Sequence, residues 1–446
     1  MPNPSHTALD VIRNEALRLD GDEHDYDALL DSIGDRSLVL LGEATHGTRE
    51  FYRMRAELTL RLVVEQGFDA IAVEADWPDA YRLNLFVRGE GPDHVARSAF
   101  DDFQRFPRWM WRNEEVLRFV ERLRDINMTR QASERIGFYG LDMYSMYRSA
   151  NAVVDYLSTV DEEQAAIARK QYAALDHVRD PQRYGYEAVL GLRPDCREAV
   201  RQRLLDLWTL APEYLSADGR GAVDAYFFAE RNAHVVASAE SYYRAMFGSR
   251  AASWNVRDEH MVQTLFALQA HLRALGSAGK VVVWAHNSHL GDARATEMSR
   301  AGEWNVGQLV RERAGAEAAW LVGFTTYTGT VTAAPMSGTA RPSAARSRWQ
   351  DRTVTRTCSI APGWTAFTCR CRKKRRACCA IPCSSGPSAC CTARIPSTKA
   401  TISRRRSPRS STRCSISMKP PRSSRWTRRR HGSKCNLCSV PRTGVR

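Results

Sequence analysis

Four short apolar runs recur along the chain, and each ends in a cluster of polar residues. Ser37 to Leu41 runs into Gly42-Glu43-Ala44-Thr45-His46-Gly47, and Ala70 to Val73 runs into Glu74-Ala75-Asp76-Trp77. Arg135 to Tyr139 ends in Gly140-Leu141-Asp142, and Lys280 to Trp284 ends in Ala285-His286-Asn287-Ser288-His289. Runs of this length without polar alternation predict strands buried on both faces, as in a parallel sheet. Ala319 to Phe324 predicts one more strand. Between these runs the apolar spacing is helical. Residues 8 to 34 carry it up to a stop at Ile33-Gly34-Asp35, and Phe51, Met54, Leu58, Leu62 and Val63 mark a helix over 51 to 66 closed by Gly67. Residues 145 to 275 are almost wholly helical in pattern, with long amphipathic stretches. The fold class this predicts is α/β: a central, mostly parallel β-sheet flanked by helices, with a helical insertion or lid subdomain. In such open sheets ligands bind at the carboxyl ends of the strands, where the polar clusters fall. No internal repeat is visible.

Charge divides the chain in two. Residues 335 to 446 hold 27 Lys plus Arg against one acid, Asp351, and 11 of the 12 cysteines. Residues 1 to 334 hold 38 Lys plus Arg against 49 acids, and Cys196 alone. The formal charge of +15 is thus an average over two unlike segments. A basic, Ser/Arg-rich arm could bind nucleic acid through counterion release. A frameshift yields the same composition by accident. Ser410 to Trp426 can be back-translated so that a neighbouring frame spells F-D-A-V-L-H-F-D-E-T-T-A-V-E-P-L, an ordinary globular stretch. Met418 and Trp426, with one codon each, fit that frame. The out-of-frame reading is therefore preferred: a disordered tail over 335 to 446, and no nucleic-acid partner.

The tail's Cys369-x-Cys371, Cys378-Cys379, Cys390-Cys391 and Cys435-x-x-Cys438 lack the regularly spaced pairs and apolar scaffold of a zinc site, so no metal is expected there. No apolar run approaches the roughly 20 residues of a membrane-spanning helix. The N-terminus lacks a basic start followed by an apolar stretch, so neither membrane insertion nor secretion is expected. One cysteine before the tail fits a reducing cytoplasm.

The polar clusters carry the candidate chemistry. Glu43 and His46, three residues apart off a strand end, can share a pocket in which the carboxylate orients the imidazole; His46 is then a candidate general base. Two glycines bracket this turn and let the backbone bend and approach a ligand. Glu74 would face the same cleft, whereas Asp76, just before Trp77-Pro78, reads as a helix N-cap. His286 and His289 form an H-x-x-H spacing that could converge on the cleft or, on one helix face, ligate a metal. Arg55 lies about two helical turns beyond His46, within reach of a carboxylate or an oxyanion, and is a substrate-binding candidate. Trp109, Trp111, Tyr144 and Tyr147 suit either a pocket wall or the core. No G-x-S-x-G elbow, P-loop or strand-preceded G-x-G-x-x-G occurs, which removes serine-hydrolase and nucleotide-dependent readings.

Together, L-G-E-A-T-H-G-T-R-E-F with Arg55 following, A-I-A-V-E-A-D-W-P, G-F-Y-G-L-D-M-Y-S, W-N-V-R-D-E-H-M and W-A-H-N-S-H resemble the erythromycin esterase family, over about residues 8 to 333. The resemblance implies an α/β catalytic domain over 1 to 334 with a helical subdomain at about 145 to 275. It also implies hydrolysis of an ester, the macrolide lactone in the antibiotic-resistance enzymes, without an obligatory cofactor. Water activation then falls to His46, with Glu43, Glu74, His286 and His289 at the remaining active-site positions and Arg55 at the motif's arginine. The departure lies at the C-terminus. Such proteins continue past Gly329 to Ala334 into further globular sequence ending in a strand resembling F-D-A-V-L-H-F-D-E, whose loss would expose a sheet edge. Three alternatives remain: a metal-dependent hydrolase using the same His/Glu cluster, an inactive truncated homologue, and a nucleic-acid binder acting through the tail.

Overall fold

A computed structural model describes residues 16–22, 24–105, 107–176, 180–192, 195–215, 220–325 and 331–332, together with the backbone of 367–369, 401–406 and 412–417. The chain divides into two compact units, Tyr26–Ile360 and a second formed by Met1–Asp25 with Ala361–Arg446.

The first unit is built on a five-stranded sheet. Its strands are β1 (Leu38–Leu41), β2 (Ala70–Asp76), β3 (Gly137–Asp142), β4 (Val281–Trp284) and β5 (Ala319–Val322), in the order β3-β2-β4-β1-β5. Every pairing among them is parallel. Side chains of β1 to β4 are buried without exception, which is why these strands read as unbroken apolar runs rather than alternating ones. Edge strand β5 is less buried, and among the described residues β1 is its one partner.

Helices cover both faces. Helix α1 (Asp27–Ile33) precedes β1, α2 (Arg49–Glu65) joins β1 to β2, and α3 (Trp77–Val87) and α4 (Glu114–Met128) lie between β2 and β3. The β3–β4 connection holds six helices: α5 (Met146–Val160), α6 (Glu162–Asp176), α7 (Pro181–Val189), α8 (Arg197–Tyr214), α9 (Arg220–Ala245) and α10 (Arg250–Ala274). After β4 come α11 (Asn287–Leu290) and α12 (Val306–Arg313). Met261, Leu265 and Leu268 of α10 pack in one cluster with Leu38, Ala72 and Val283 of the sheet. On the other face Trp284 of β4 donates its indole N–H to Thr59 of α2 (2.9 Å) and meets the Phe119 ring of α4 at 4.8 Å. Helices α5 to α9 enclose a second apolar core of their own, including Val153, Leu207 and Val236.

Several sequence expectations shift. Among the described residues, the helix read over 8 to 34 is present only at Asp27–Ile33; Ala16–Arg18 is a strand, Gly21 stands at φ 87°, and the part of the expected helix before residue 16 lies outside the described residues. Ala16–Arg18 pairs antiparallel with Phe367–Cys369, and Thr401–Arg406 pairs with Thr412–Ser417. Apart from those backbone segments, the tail expected to be disordered lies outside the described residues. No helix among the described residues is long and apolar enough to cross a membrane.

Glu74 and Asp76 belong to β2 itself rather than to the loop beyond it. Between Val73 and Asp76 the register against β3 slips, three steps on β2 matching two from Gly140 to Asp142. Such a bulge re-aims the side chains it carries. Gly140 makes it possible: a Cβ there would lie 2.5 Å from the Ala75 carbonyl oxygen and 2.6 Å from that of Asp76, both backbone atoms that cannot swing aside. Gly140→Ala is therefore expected to cost about 1–3 kcal/mol, the usual range for overpacking, measured as a lowered urea midpoint; an unchanged midpoint would refute this role for the glycine.

Candidate active site

The turn after β1 is held from two sides. Gly42 N–H donates to the Val322 carbonyl of β5 at 2.8 Å, and a Cβ on Gly42 would fall 2.0 Å from Asn287 Oδ1. Gly47 would place a Cβ 1.9 Å from the Thr332 carbonyl oxygen, while Thr332 N–H donates to Gly47 O at 2.9 Å. Neither glycine is in the left-handed region. Both are demanded by close approach of other segments.

Glu43, wholly buried, divides its two oxygens. Oε1 meets His46 Nδ1 at 2.9 Å, and Oε2 accepts from Arg55 at 2.8 Å. The Arg55 guanidinium lies 4.8 Å from the Tyr52 ring centroid and 4.9 Å from that of Trp284. Its Nε and Nη1 have no hydrogen-bond partner among the described residues; the two aromatic faces supply the compensating attraction. Arg55 is thus placed behind Glu43 and out of the cleft, which corrects the expectation that it meets substrate.

His46 keeps 30% of its side chain exposed, and its Nε2 has no partner among the described residues. Tyr52 fixes the adjacent backbone by donating its hydroxyl to His46 O at 2.6 Å. Burial alone would lower the imidazole pKa, but the Glu43 hydrogen bond and the charges of Glu74 and Glu43 outweigh it, and the pKa is raised above 6.5.

From β4, His286 brings its ring to 5.2 Å from that of His46. Its backbone N–H donates to Glu74 Oε2 at 2.8 Å, its Nε2–H donates to Ala44 O at 3.1 Å, and Nδ1 accepts from Ser288 N–H at 3.2 Å. That last bond makes His286 the N-cap of α11, so H-x-x-H does not present two free imidazoles on one helix face. Burial, followed by the neighbouring His46, lowers the His286 pKa and keeps the ring neutral.

His289 turns the other way. Its Nδ1 lies 2.8 Å from Asp258 Oδ1, its ring stacks on Trp254 at 4.6 Å and 3°, and its Nε2 approaches Glu74 Oε1 at 3.3 Å and Arg257 Nη1 at 2.9 Å. These last two contacts belong to different protonation states: Nε2 accepts from Arg257 when neutral and donates to Glu74 when charged. Burial opposes the charge, yet the Asp258 and Glu74 carboxylates push the pKa up to about 9, so the charged form facing Glu74 prevails at neutral pH.

Sequence reasoning assigned no role to the group that organises this half of the site. Arg257, on α10, donates to Glu74 Oε1 at 2.7 Å and to Asp142 at 3.0 and 2.6 Å. Against the penalty of burial, His289 and Arg257 hold the Glu74 carboxyl well below its ordinary range. Asp258 accepts from the Val306 N–H at the start of α12, 3.0 Å away. A signal existed: Arg257-Asp258 is a charged pair in the middle of a helix that the sheet buries, and Asp142 closes a buried strand. Asp76 is also corrected. It precedes α3, but its carboxylate makes no cap bond there and accepts instead from Tyr144 N–H at 2.8 Å.

Glu43, His46, Glu74, His286 and His289 are thus gathered at the carboxyl ends of three adjacent strands, β1, β4 and β2. No group of three or more His, Cys, Asp or Glu side chains poised for a metal ion occurs among the described residues. Fold and site define a class of protein: a parallel α/β sheet with a carboxylate-oriented histidine at its carboxyl edge.

A family model described as erythromycin esterase matches residues 63–363. The chain belongs to the erythromycin esterase family. Erythromycin esterase type II of Escherichia coli is 25% identical over 291 residues, covering 61% of this chain and 64% of that protein. A putative hydrolase, YbfO of Bacillus subtilis (strain 168), is 24% identical over 133 residues, 30% of this chain and 28% of its own. The chain therefore spans less than two thirds of these curated relatives. Among solved structures, a succinoglycan biosynthesis protein aligns at TM-score 0.57 and 21% identity over 73% of this chain and 76% of its own. A histidine mutant of the erythromycin esterase EreC in its open conformation aligns at 0.53 and 20% over 71% and 77%. At these identities the structures share the fold.

Removing the charge that raises His46 tests the site directly. Glu43→Gln is expected to lower the His46 pKa, read as an earlier onset of deprotonation in an NMR titration of its ring protons; an unmoved titration would show that Glu43 does not govern it.

Proposed function

We propose that the protein is a hydrolase that cleaves an ester or lactone with water activated by His46. The observation that carries this reading is the asymmetry of the His46 ring: Nδ1 is held by Glu43, while Nε2 has no partner among the described residues and the side chain is 30% exposed. With its proton on Nδ1, the neutral ring offers the Nε2 lone pair to a water. That water loses a proton to Nε2 as its oxygen bonds to the ester carbonyl carbon, and Glu43 stabilises the imidazolium that forms. The tetrahedral intermediate collapses by breaking the bond to the alcohol oxygen, which takes the proton back from Nε2. Glu74, His286 and His289 position the water and shape the field around the developing charge.

The family and the Escherichia coli relative support a macrolide lactone as a candidate substrate and a role in antibiotic resistance. A cytoplasmic setting agrees with Cys196, which is free and buried. A metal-dependent route through the same histidines would need nitrogens that His286 and His289 already commit to protein partners.

His46→Gln is expected to lower kcat by about 10²- to 10⁴-fold on macrolides and simple esters, the range for a lost general base, while chelator treatment leaves the wild-type rate unchanged. Because the raised His46 pKa belongs to a base, activity should fall as pH drops through a midpoint above 6.5. Full activity of the Gln variant, or a rate that ignores acid down to pH well below 6.5, would overturn the mechanism.

A further inference from the structure

Three arginines around the carboxyl edge of the sheet each donate at least one hydrogen bond to a carboxylate. Arg55 bonds Glu43, Arg257 bonds Glu74 and Asp142, and Arg148 bonds Asp79 and Asp102. Arg105 does not follow this rule. Its closest carboxylate oxygen is Asp76 Oδ2 at 3.7 Å, beyond hydrogen-bond reach, and no hydrogen bond engages it among the described residues. Its side chain as a whole is 51% exposed.

An exposed arginine ordinarily samples many rotamers, and this one is seated. Its guanidinium carbon lies 3.6 Å from the centroid of the Tyr144 ring. Tyr144 is itself fixed: its N–H donates to Asp76, its carbonyl accepts from the Tyr243 hydroxyl at 3.0 Å, and its ring meets that of Tyr242 edge-on at 5.2 Å. The same Tyr144 ring lies 5.0 Å from the guanidinium carbon of Arg257, the group that holds Glu74. Tyr144 is thus a wall shared by the guanidinium that anchors Glu74 and by a second cation that no described residue hydrogen-bonds. Stacking on an aromatic face leaves the planar edge of a guanidinium available, the edge that binds a carboxylate through two parallel hydrogen bonds.

We propose that Arg105, seated on Tyr144, is a specificity-determining residue that binds a carboxylate carried by the ester substrate. This rests on the hydrolase reading above and takes, in place of the macrolide lactone, which bears no carboxylate, the alternative of a simple ester that carries an anionic group. A guanidinium that only packed on Tyr144 would be indifferent to such a group.

The full-length protein and its Arg105→Ala and Arg105→Lys variants are compared on 4-nitrophenyl acetate and on the 4-nitrophenyl half-ester of succinate, which carries a free carboxylate. The proposal expects the wild type to favour the half-ester. In Arg105→Ala the half-ester KM should rise about tenfold, the loss expected for one charge-assisted contact, with kcat and the acetate kinetics unchanged. Arg105→Lys should fall between, keeping the charge and losing the planar edge. Equal changes on both esters, a fall in kcat, or no preference in the wild type would overturn it. Calorimetric binding of the unreactive amides succinanilic acid and acetanilide reads the same discrimination without turnover. Should neither ester be hydrolysed, the hydrolase reading falls, and the calorimetry alone decides this one: a wild-type preference for the acid that Arg105→Ala abolishes upholds it, and equal binding of both amides refutes it.

Discussion

A single carboxylate buried against a guanidinium, Glu43 on Arg55, sets the geometry on which the candidate site depends. Taking both charges out of water is costly, and removing either partner from such a pair costs about 3–5 kcal/mol because the other is left uncompensated. That penalty fixes Glu43 in one orientation, with Oε2 on Arg55 and Oε1 on His46. Arg55 in turn is clasped between Tyr52 of α2 and Trp284 of β4, and Trp284 is tied to Thr59. The orientation of one imidazole is therefore a property of β1, α2 and β4 together. Loosening any of these contacts would be felt as rotational freedom at His46.

The second half of the site is a problem in charge compensation. Glu74, Asp142 and Asp258 lie buried beside Arg257 and His289. Neither cation alone could neutralise three carboxylates, and the arrangement works because each is shared: Arg257 spans Glu74 and Asp142, and His289 spans Asp258 and Glu74. Glu74 stays ionised as a result, and through His286 N–H it anchors the end of β4. An ionised Glu74 also contributes to the raised pKa of His46, so the two halves are coupled through the field as well as through contacts.

Much of this was legible in the chain. Strands buried on both faces announced themselves as unbroken apolar runs, and polar residues at their ends marked the edge where chemistry gathers. That rule singled out Glu43, His46, Glu74, His286 and His289, and the structure brings these five together. Arg55 was noticed but misplaced, because helical spacing brings an arginine near a carboxylate without saying which of them faces solvent. Asp76 looked like a cap on local grounds, and a backbone N–H from the next strand's loop claimed it instead. Arg257 and Asp258 were passed over as single residues because a charged pair inside a long helix looks like a solvated face until the packing against the sheet is known.

By itself, then, the sequence determined the α/β class, the positions of five strands and the polar clusters of the candidate site, since burial on two faces and the ends of strands leave a local record in residue type. Only the tertiary structure decided the strand order, which inserts β4 between β2 and β1 and so carries His286 to His46, and the direction in which each polar group turns. The physical reason is that strand order and charge pairing depend on contacts between residues far apart in the chain, 212 positions for His286 and Glu74 and 242 for His286 and Ala44. A buried charge must find its partner wherever the fold delivers one.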